Sequence, residues 1–375
     1  MTIERREFLK GSVAAAALTL LPGTVMAGPA FAPAPGNWRK FEVTTRIEIA
    51  GALQGAVTAW LPLAAISAAG WQRPVEDRWN ATGASVTEHR PGPYDAKLIR
   101  LAWAPGMTAV AEVRSIVATQ DRAVDLSKPG KPVALGAAER ALYTAPTRLL
   151  PTDGIVKATA DAITAGAHSD LEKAKRIFAW VVANSFREAK VRGCGLGDIS
   201  YMLQTGNLGG KCADLNGLFV GLARASGLPA RDLYGIRVAP SGFGYKSLGA
   251  NSEVISKSQH CRAEVYLSGF GWVPVDPADV RKVLLEEAPG NLGIEDPRVV
   301  AARQTLFGAW EGNWIAYNDA HDLVLPGAAN SNNPAPNNPA QGFLMYPEAE
   351  TVAGRLDCLN ADSFKYVITA KEITV

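Results

Sequence analysis

The chain has 375 residues, and 47% of them are hydrophobic. Its 38 Lys and Arg nearly balance its 36 Asp and Glu, for a formal net charge of +2. The cations are scattered rather than clustered, which excludes a basic field of the kind nucleic acid requires. This length predicts two or three domains.

Residues 1–27 carry the layout of an export signal. Arg5-Arg6-Glu7-Phe8-Leu9-Lys10 precedes an apolar stretch from Gly11 to Leu21, and small residues ending Val25-Met26-Ala27 follow. The paired arginines with Phe-Leu-Lys resemble a twin-arginine signal, which implies passage through that export machinery in the folded state and a periplasmic or otherwise exported product. The apolar stretch is too short to span a bilayer, and Pro22 interrupts it. Cleavage is expected after Ala27, with Ala32 as second choice. Losing Arg5, Arg6 and Lys10 together with Glu4 and Glu7 would leave 35 basic and 34 acidic side chains. No later segment reads as a membrane span.

Residues 28–37 are rich in Pro, Ala and Gly and read as a linker. Across 38–126, strand-like runs at Phe41–Ile49, Ala56–Leu63, Lys97–Trp103 and Thr108–Thr119 alternate with Gly/Pro turns, predicting a small β-sandwich. A connector spans 127–153. An α+β core is expected over 154–285. It opens with helical patterns at Ile155–Ile163 and Leu171–Ser185.

Gly209-Gly210-Lys211-Cys212 then leads into another helix. Leu215, Leu218, Phe219 and Leu222 recur at helical spacing, and Gly227 with Pro229 ends the run. Cys212 therefore projects from a first helical turn, where unpaired N–H groups and the helix dipole favour a thiolate. The diglycine suits a tight turn and close approach to a substrate. Alternatively, Cys212 is a small buried apolar residue.

Strands are predicted at Leu233–Val238, His260–Leu267 and Trp272–Val275. Along His260-Cys261-Arg262-Ala263-Glu264-Val265-Tyr266-Leu267 the even positions are mainly polar, the pattern of a half-buried strand. A three-residue loop Leu267-Ser268-Gly269, with Gly269 left-handed, would set His260 opposite Asp276. A turn centred on Phe270 would pair Asp276 with Glu264 instead, leaving the imidazole roughly 13 Å away. The first register, or a bulge achieving the same contact, is expected. Cys212, His260 and Asp276 are then the parts of a thiol acyl-transfer site: nucleophile, base and orienting acid.

The Gly/Ser-rich stretch Ala239–Gln259, with Phe243 and Tyr245, is either a lid or a solvated excursion. Residues 286–375 hold further strand patterns at Phe343–Met345 and Phe364–Thr369, expected to join the core or the sandwich. Within them, residues 327–341 form an Asn/Pro/Ala-rich surface insertion. Zinc chemistry is not expected. No Cys-x-x-Cys pair occurs, and the adjacent His260 and Cys261 point to opposite faces of a strand. With Cys212 free, at most one disulfide is available to Cys194, Cys261 and Cys358.

Gly210-Lys211-Cys212, Leu222 through Arg231, His260 through Tyr266, and Gly271-Trp272-Val273-Pro274-Val275-Asp276-Pro277 resemble the transglutaminase-like domain of bacterial proteins. The resemblance implies a papain-like core, helices packed on an antiparallel sheet, preceded by the β-sandwich. It also implies Cys212 as nucleophile, His260 as base and Asp276 as orienting acid, without a cofactor. Members often have Trp two residues after the histidine. Here Arg262 stands in its place and is expected to alter the wall beside the imidazole. Tyr245, Arg262 and Trp272 are candidate substrate-lining residues. Gln204 and Trp180 are candidate oxyanion donors beside the Cys212 N–H, although Ile177 and Phe178 suggest that Trp180 belongs to the core.

The expected activity is acyl transfer from a peptide, protein or cell-envelope substrate, with hydrolysis favoured over transamidation. The alternative is an inactive binding or assembly protein on the same scaffold.

Overall fold

A computed structural model describes residues 30–49, 55–68, 70–131, 133–328 and 343–374. The expected signal, and the insertion beyond Ala328, lie outside the described residues. No helix among the described residues is long and apolar enough to cross a membrane.

The chain begins with β1 (Arg39–Ile49), β2 (Val57–Leu63), β3 (Gln72–Asn80), β4 (Ala84–His89), β5 (Lys97–Trp103), β6 (Ala109–Thr119) and the short β7 (Arg122–Ala123). A helical region follows: α1 (Ala137–Thr144), α2 (Gly154–Thr164), α3 (Asp170–Asn184), β8 (Phe186–Arg187), α4 (Ile199–Thr205), β9 (Gly209–Gly210) and α5 (Cys212–Ala225). Next come β10 (Ala230–Arg237), β11 (Gln259–Leu267), β12 (Gly271–Val275), α6 (Pro277–Glu286), α7 (Pro297–Thr305), β13 (Ala309–Trp310) and β14 (Trp314–Asn318). The tail adds β15 (Glu348–Thr351), β16 (Gly354–Arg355) and β17 (Lys365–Ile373).

Two sheets, ordered β17-β1-β6-β3 and β16-β15-β2-β5-β4, form the sandwich. Alternate residues of β1, β2, β5 and β6, among them Ile47, Ala59, Leu61, Leu101 and Val113, fill the space between them. The tail therefore joins the sandwich, with β17 lying antiparallel to β1 from Lys40↔Ile373 to Glu48↔Lys365. Phe343–Met345 is buried but unpaired, and pairing resumes only at Glu348. Strands β3 and β4 escaped the sequence reading because both are sheet edges and carry charged side chains, as edge strands do.

The core sheet is ordered β12-β11-β10-β14. Strand β14 extends it past the expected boundary at 285. On one face, Ala263, Val265, Leu267, Val273 and Val275 pack with α2, α3 and α5 residues such as Val156, Ile177, Leu218 and Phe219. The opposite face carries His260, Arg262, Glu264 and Tyr266, in a strand expected to be half-buried. It is buried up to Glu264, because Arg122 of β7 and the rings of Trp310 and Trp314 cover it.

Glu264, fully buried, accepts from Arg122 and, through its other oxygen, from Arg231 Nε at 2.6 Å. Arg231 also reaches Asp319 at 3.0 Å, and the Tyr143 hydroxyl donates to Asp319 at 2.6 Å. This network fastens β7, at the end of the sandwich, to α1 and the core sheet. The expected linker is fixed as well. Phe31 is buried against Phe243 and Tyr245, with ring centroids 5.5 and 4.7 Å away.

Candidate active site

The start of α5 is shaped by a carboxylate. Asp214 Oδ2 accepts from the Lys211 N–H at 2.9 Å, and Oδ1 accepts from Leu196 N–H at 3.0 Å and Gly197 N–H at 2.9 Å. It caps the helix and ties it to the preceding loop. A Cβ at Gly195 (φ +91°) would lie 1.8 Å from Asp214 Oδ2, and one at Gly210 would lie 2.4 Å from Asp214 Cβ. Gly210 thus makes room for the capping carboxylate rather than for a substrate.

The hairpin register differs from both alternatives read from the sequence. Leu267 pairs with Gly271 and Ala263 with Val275, so the loop is Ser268-Gly269-Phe270 and Asp276 continues opposite Arg262. Gly269 is left-handed as expected (φ 84°), but Gly271 (φ 72°) is too, and this second glycine moves the turn by one residue. Contact is made along the diagonal, where side chains on one face remain within reach. His260 Nε2 lies 2.8 Å from Asp276 Oδ2, and no bulge is needed.

Asp276 is fully buried and is also the N-cap of α6, accepting from the Asp279 N–H at 3.0 Å. Asn216, one turn beyond Cys212, donates to Asp276 Oδ1 at 3.2 Å and to the Cys261 carbonyl at 2.8 Å. Its own oxygen accepts from Ala278 N–H at 3.2 Å. The cysteine helix therefore holds the acid directly. Asn216→Ala should cost about 1–3 kcal/mol, the penalty for orphaned buried polar groups; urea denaturation checks this.

A second carboxylate attends the histidine. Asp279 Oδ1 lies 3.4 Å from His260 Nε2, and Arg237 Nη2 grips Asp279 at 2.6 and 2.8 Å. Burial opposes ionisation of Asp279, yet Arg237 and His260 hold its carboxyl far below the usual range. Asp276 is pushed up, by burial first and by Asp279 second. Burial and Arg237 press the imidazole of His260 down, but Asp279 and Asp276 outweigh them and leave it raised.

With Nε2 engaged by these carboxylates, Nδ1 is the ring nitrogen left for the thiol. Cys212 and His260 both line one cavity of about 480 Å³. Cys212 also has sulfur neighbours: the Sγ atoms of Cys194, Cys212 and Cys261 lie within 4.8 Å of one another. All four cysteines are free thiols. Hydrogen bonds from the Cys212 and Cys261 thiols hold Cys194 well below its ordinary value, whereas burial pushes Cys261 up. No metal is expected from the sequence; among the described residues, the three thiols and His260/Asp276/Asp279 are the two clusters whose spacing would admit one.

The weaker site candidates lie elsewhere. Gln204 is exposed and donates to Ser200 Oγ at 3.2 Å, and Trp180 packs against the helical core. Neither lines the cavity. Tyr245 is buried with its hydroxyl donating to the Arg298 carbonyl at 3.1 Å. Trp272 packs on Tyr143 and Tyr266, beneath the Arg231 guanidinium. Arg262 lies under the acid rather than on the wall. Its guanidinium sits over the Trp310 and Trp314 rings at 5.1 and 4.8 Å, and its Nε is 3.7 Å from Asp276 Oδ2. The 239–259 stretch is tethered, with Tyr245, Leu248 and Ile255 buried and Ile255 N–H bonded to the Ile368 carbonyl at 2.8 Å.

Residues 157–277 match the family model described as the transglutaminase-like superfamily. An uncharacterized protein of Haemophilus influenzae is 35% identical over 358 residues, covering 89% of this chain and 91% of that protein. A solved structure from Cytophaga hutchinsonii, provisionally assigned as a cysteine protease, is 16% identical with a TM-score of 0.48, over 90% of this chain and 99% of that one. The periplasmic domain of TgpA from Pseudomonas aeruginosa is 17% identical with a TM-score of 0.35, over 66% and 88% of the two chains.

Proposed function

Because residues 157–277 match the transglutaminase-like superfamily, we propose that the protein is a cysteine acyl-transfer enzyme that cleaves peptide or amide bonds through Cys212, His260 and Asp276. The observation that carries the reading is the orientation of His260. Its Nε2 is bound by Asp276 at 2.8 Å, and the ring shares a cavity with a cysteine at a helix start.

In this reading His260 Nδ1 takes the Cys212 proton as the sulfur attacks the carbonyl carbon. The resulting oxyanion is stabilised by N–H groups at the start of α5. His260 then protonates the leaving amine, and a thioester remains on Cys212. Water, deprotonated by His260, attacks the thioester, releasing the acid and restoring the thiol. In this reading hydrolysis is favoured because bulk water competes for the thioester, and transfer to an amine would need a water-excluding channel.

A thiol-reactive peptide probe tests the reading. Labelling at Cys212 should be lost in Cys212→Ala and impaired in His260→Ala. Labelling no faster than at Cys358 would instead favour a binding role for the scaffold.

The reading places the reaction outside the cytoplasm after twin-arginine export, on the strength of Arg5-Arg6 and the apolar stretch that follows. Replacing both arginines by lysine should leave the precursor in the cytoplasm on cell fractionation. Undiminished export would remove this part of the proposal.

A further inference from the structure

The charge of the cavity wall is one-sided. Six cationic side chains line it, Arg187, Arg192, Lys211, Arg237, Lys257 and Lys282, and no Asp or Glu among the described residues does. They come from the segments that carry each of the reacting groups. Lys211 immediately precedes Cys212, and Arg187 pairs in β8 with Gly210 of β9, the strand that delivers the cysteine. Lys257 lies three residues before His260, and Lys282 one helical turn after Asp279.

Carboxylates just outside the lining neutralise part of this charge. Arg237 is committed to Asp279, Arg192 meets Asp357, and Arg187 and Lys282 share Glu286, the latter at 3.7 Å. Lys211 and Lys257 have no carboxylate partner among the described residues. Beneath the floor, Asp276 is already occupied by His260 and Arg262. The Arg192–Asp357 pair is about half exposed, so screening leaves that guanidinium weakly held. Lys282 bears the cost of this crowding. Burial first, then the positive charges of Arg237 and Arg187, push its ammonium down. Uncompensated like charges around a cleft favour an entering anion, and low-dielectric walls focus their field.

We propose that the cavity selects an acyl substrate bearing a carboxylate, held between Lys211 and Lys257 with Arg187 and Lys282 behind them. This deepens the acyl-transfer reading and rests on it for the word substrate, while the anion preference itself does not. Two sources supply such a group: an acidic side chain near the scissile bond, or the free C-terminus of a peptide.

The field can be read without knowing the substrate. The rates at which iodoacetate and iodoacetamide alkylate Cys212 are compared, with adducts mapped by peptide mass spectrometry because Cys194 and Cys358 line the same cavity. The acetate-to-acetamide ratio, divided by that for glutathione, should be about tenfold at low ionic strength, and it should collapse in about 0.5 M salt. In Lys211→Gln/Lys257→Gln the ratio should fall severalfold, with an unchanged circular-dichroism melting curve showing that the variant is folded. A ratio no higher than glutathione's, or one unchanged in the double variant, overturns the proposal.

A peptide panel then separates the sources. It compares amide-capped peptides with an internal Glu, neutral peptides with a free C-terminus, and neutral amide-capped peptides. Preference for the first or second supports the proposal and names the source. Equal turnover of all three overturns it and leaves acyl transfer standing. No turnover alongside an intact iodoacetate preference retains the anion site and removes the acyl-transfer reading.

Discussion

His260→Ala is expected to slow acyl-enzyme formation by roughly 10²–10⁴-fold, the range for losing a positioned general base. Asp276→Asn should cost less than loss of a lone orienting acid would. Asp279 Oδ1 already stands 3.4 Å from the same nitrogen, with its charge secured by Arg237. Asp276→Asn/Asp279→Asn should therefore fall well below either single variant. Burst-phase kinetics with an activated ester, which isolate acylation from thioester hydrolysis, check the order. If Asp276→Asn alone were as damaged as the double variant, the second carboxylate would have no part in holding the ring.

Glu264→Gln should be the most destabilising isosteric change in the core sheet, by about 3–5 kcal/mol. The carboxylate has no exposed surface and serves two guanidiniums at once, those of Arg122 and Arg231. The amide preserves shape but leaves Arg122 without a counter-charge and Arg231 with Asp319 alone. Urea denaturation near pH 7 measures the loss, and adding Arg122→Met should restore part of it by removing one orphaned cation. A change within about 0.5 kcal/mol, as for an ordinary surface site, would mean that the network is decorative.

Helix α5 and the strands β1, β2, β5, β6 and β11 could be read from the sequence because apolar periodicity marks them directly. The contact between His260 and Asp276 was legible for a different reason. Two strands joined by a short Gly-containing loop leave few registers, and even the shift introduced by Gly271 kept both side chains on one face. The parts that were missed depend on contacts distant in sequence. Asn216 reads as one polar residue in an apolar helix, and only the fold shows it bonded to Asp276. Asp279 looks like an ordinary first-turn helix residue until Arg237 and His260 converge on it. Arg262 was expected on the wall because it stands where the resembling proteins often have Trp, and sequence does not say what covers its strand face. Trp310 and Trp314 turned a nominally exposed position into a buried one.

The cavity's far side comes from the tail: Tyr346, Cys358, Leu359, Phe364 and Tyr366 all border it. During synthesis the thiol helix leaves the ribosome long before these residues exist. Until they arrive the Cys212 cavity lacks that wall, and β1 lacks β17 as its partner. Completion of the cavity wall and completion of the β1 sheet thus both wait on the same last stretch of chain.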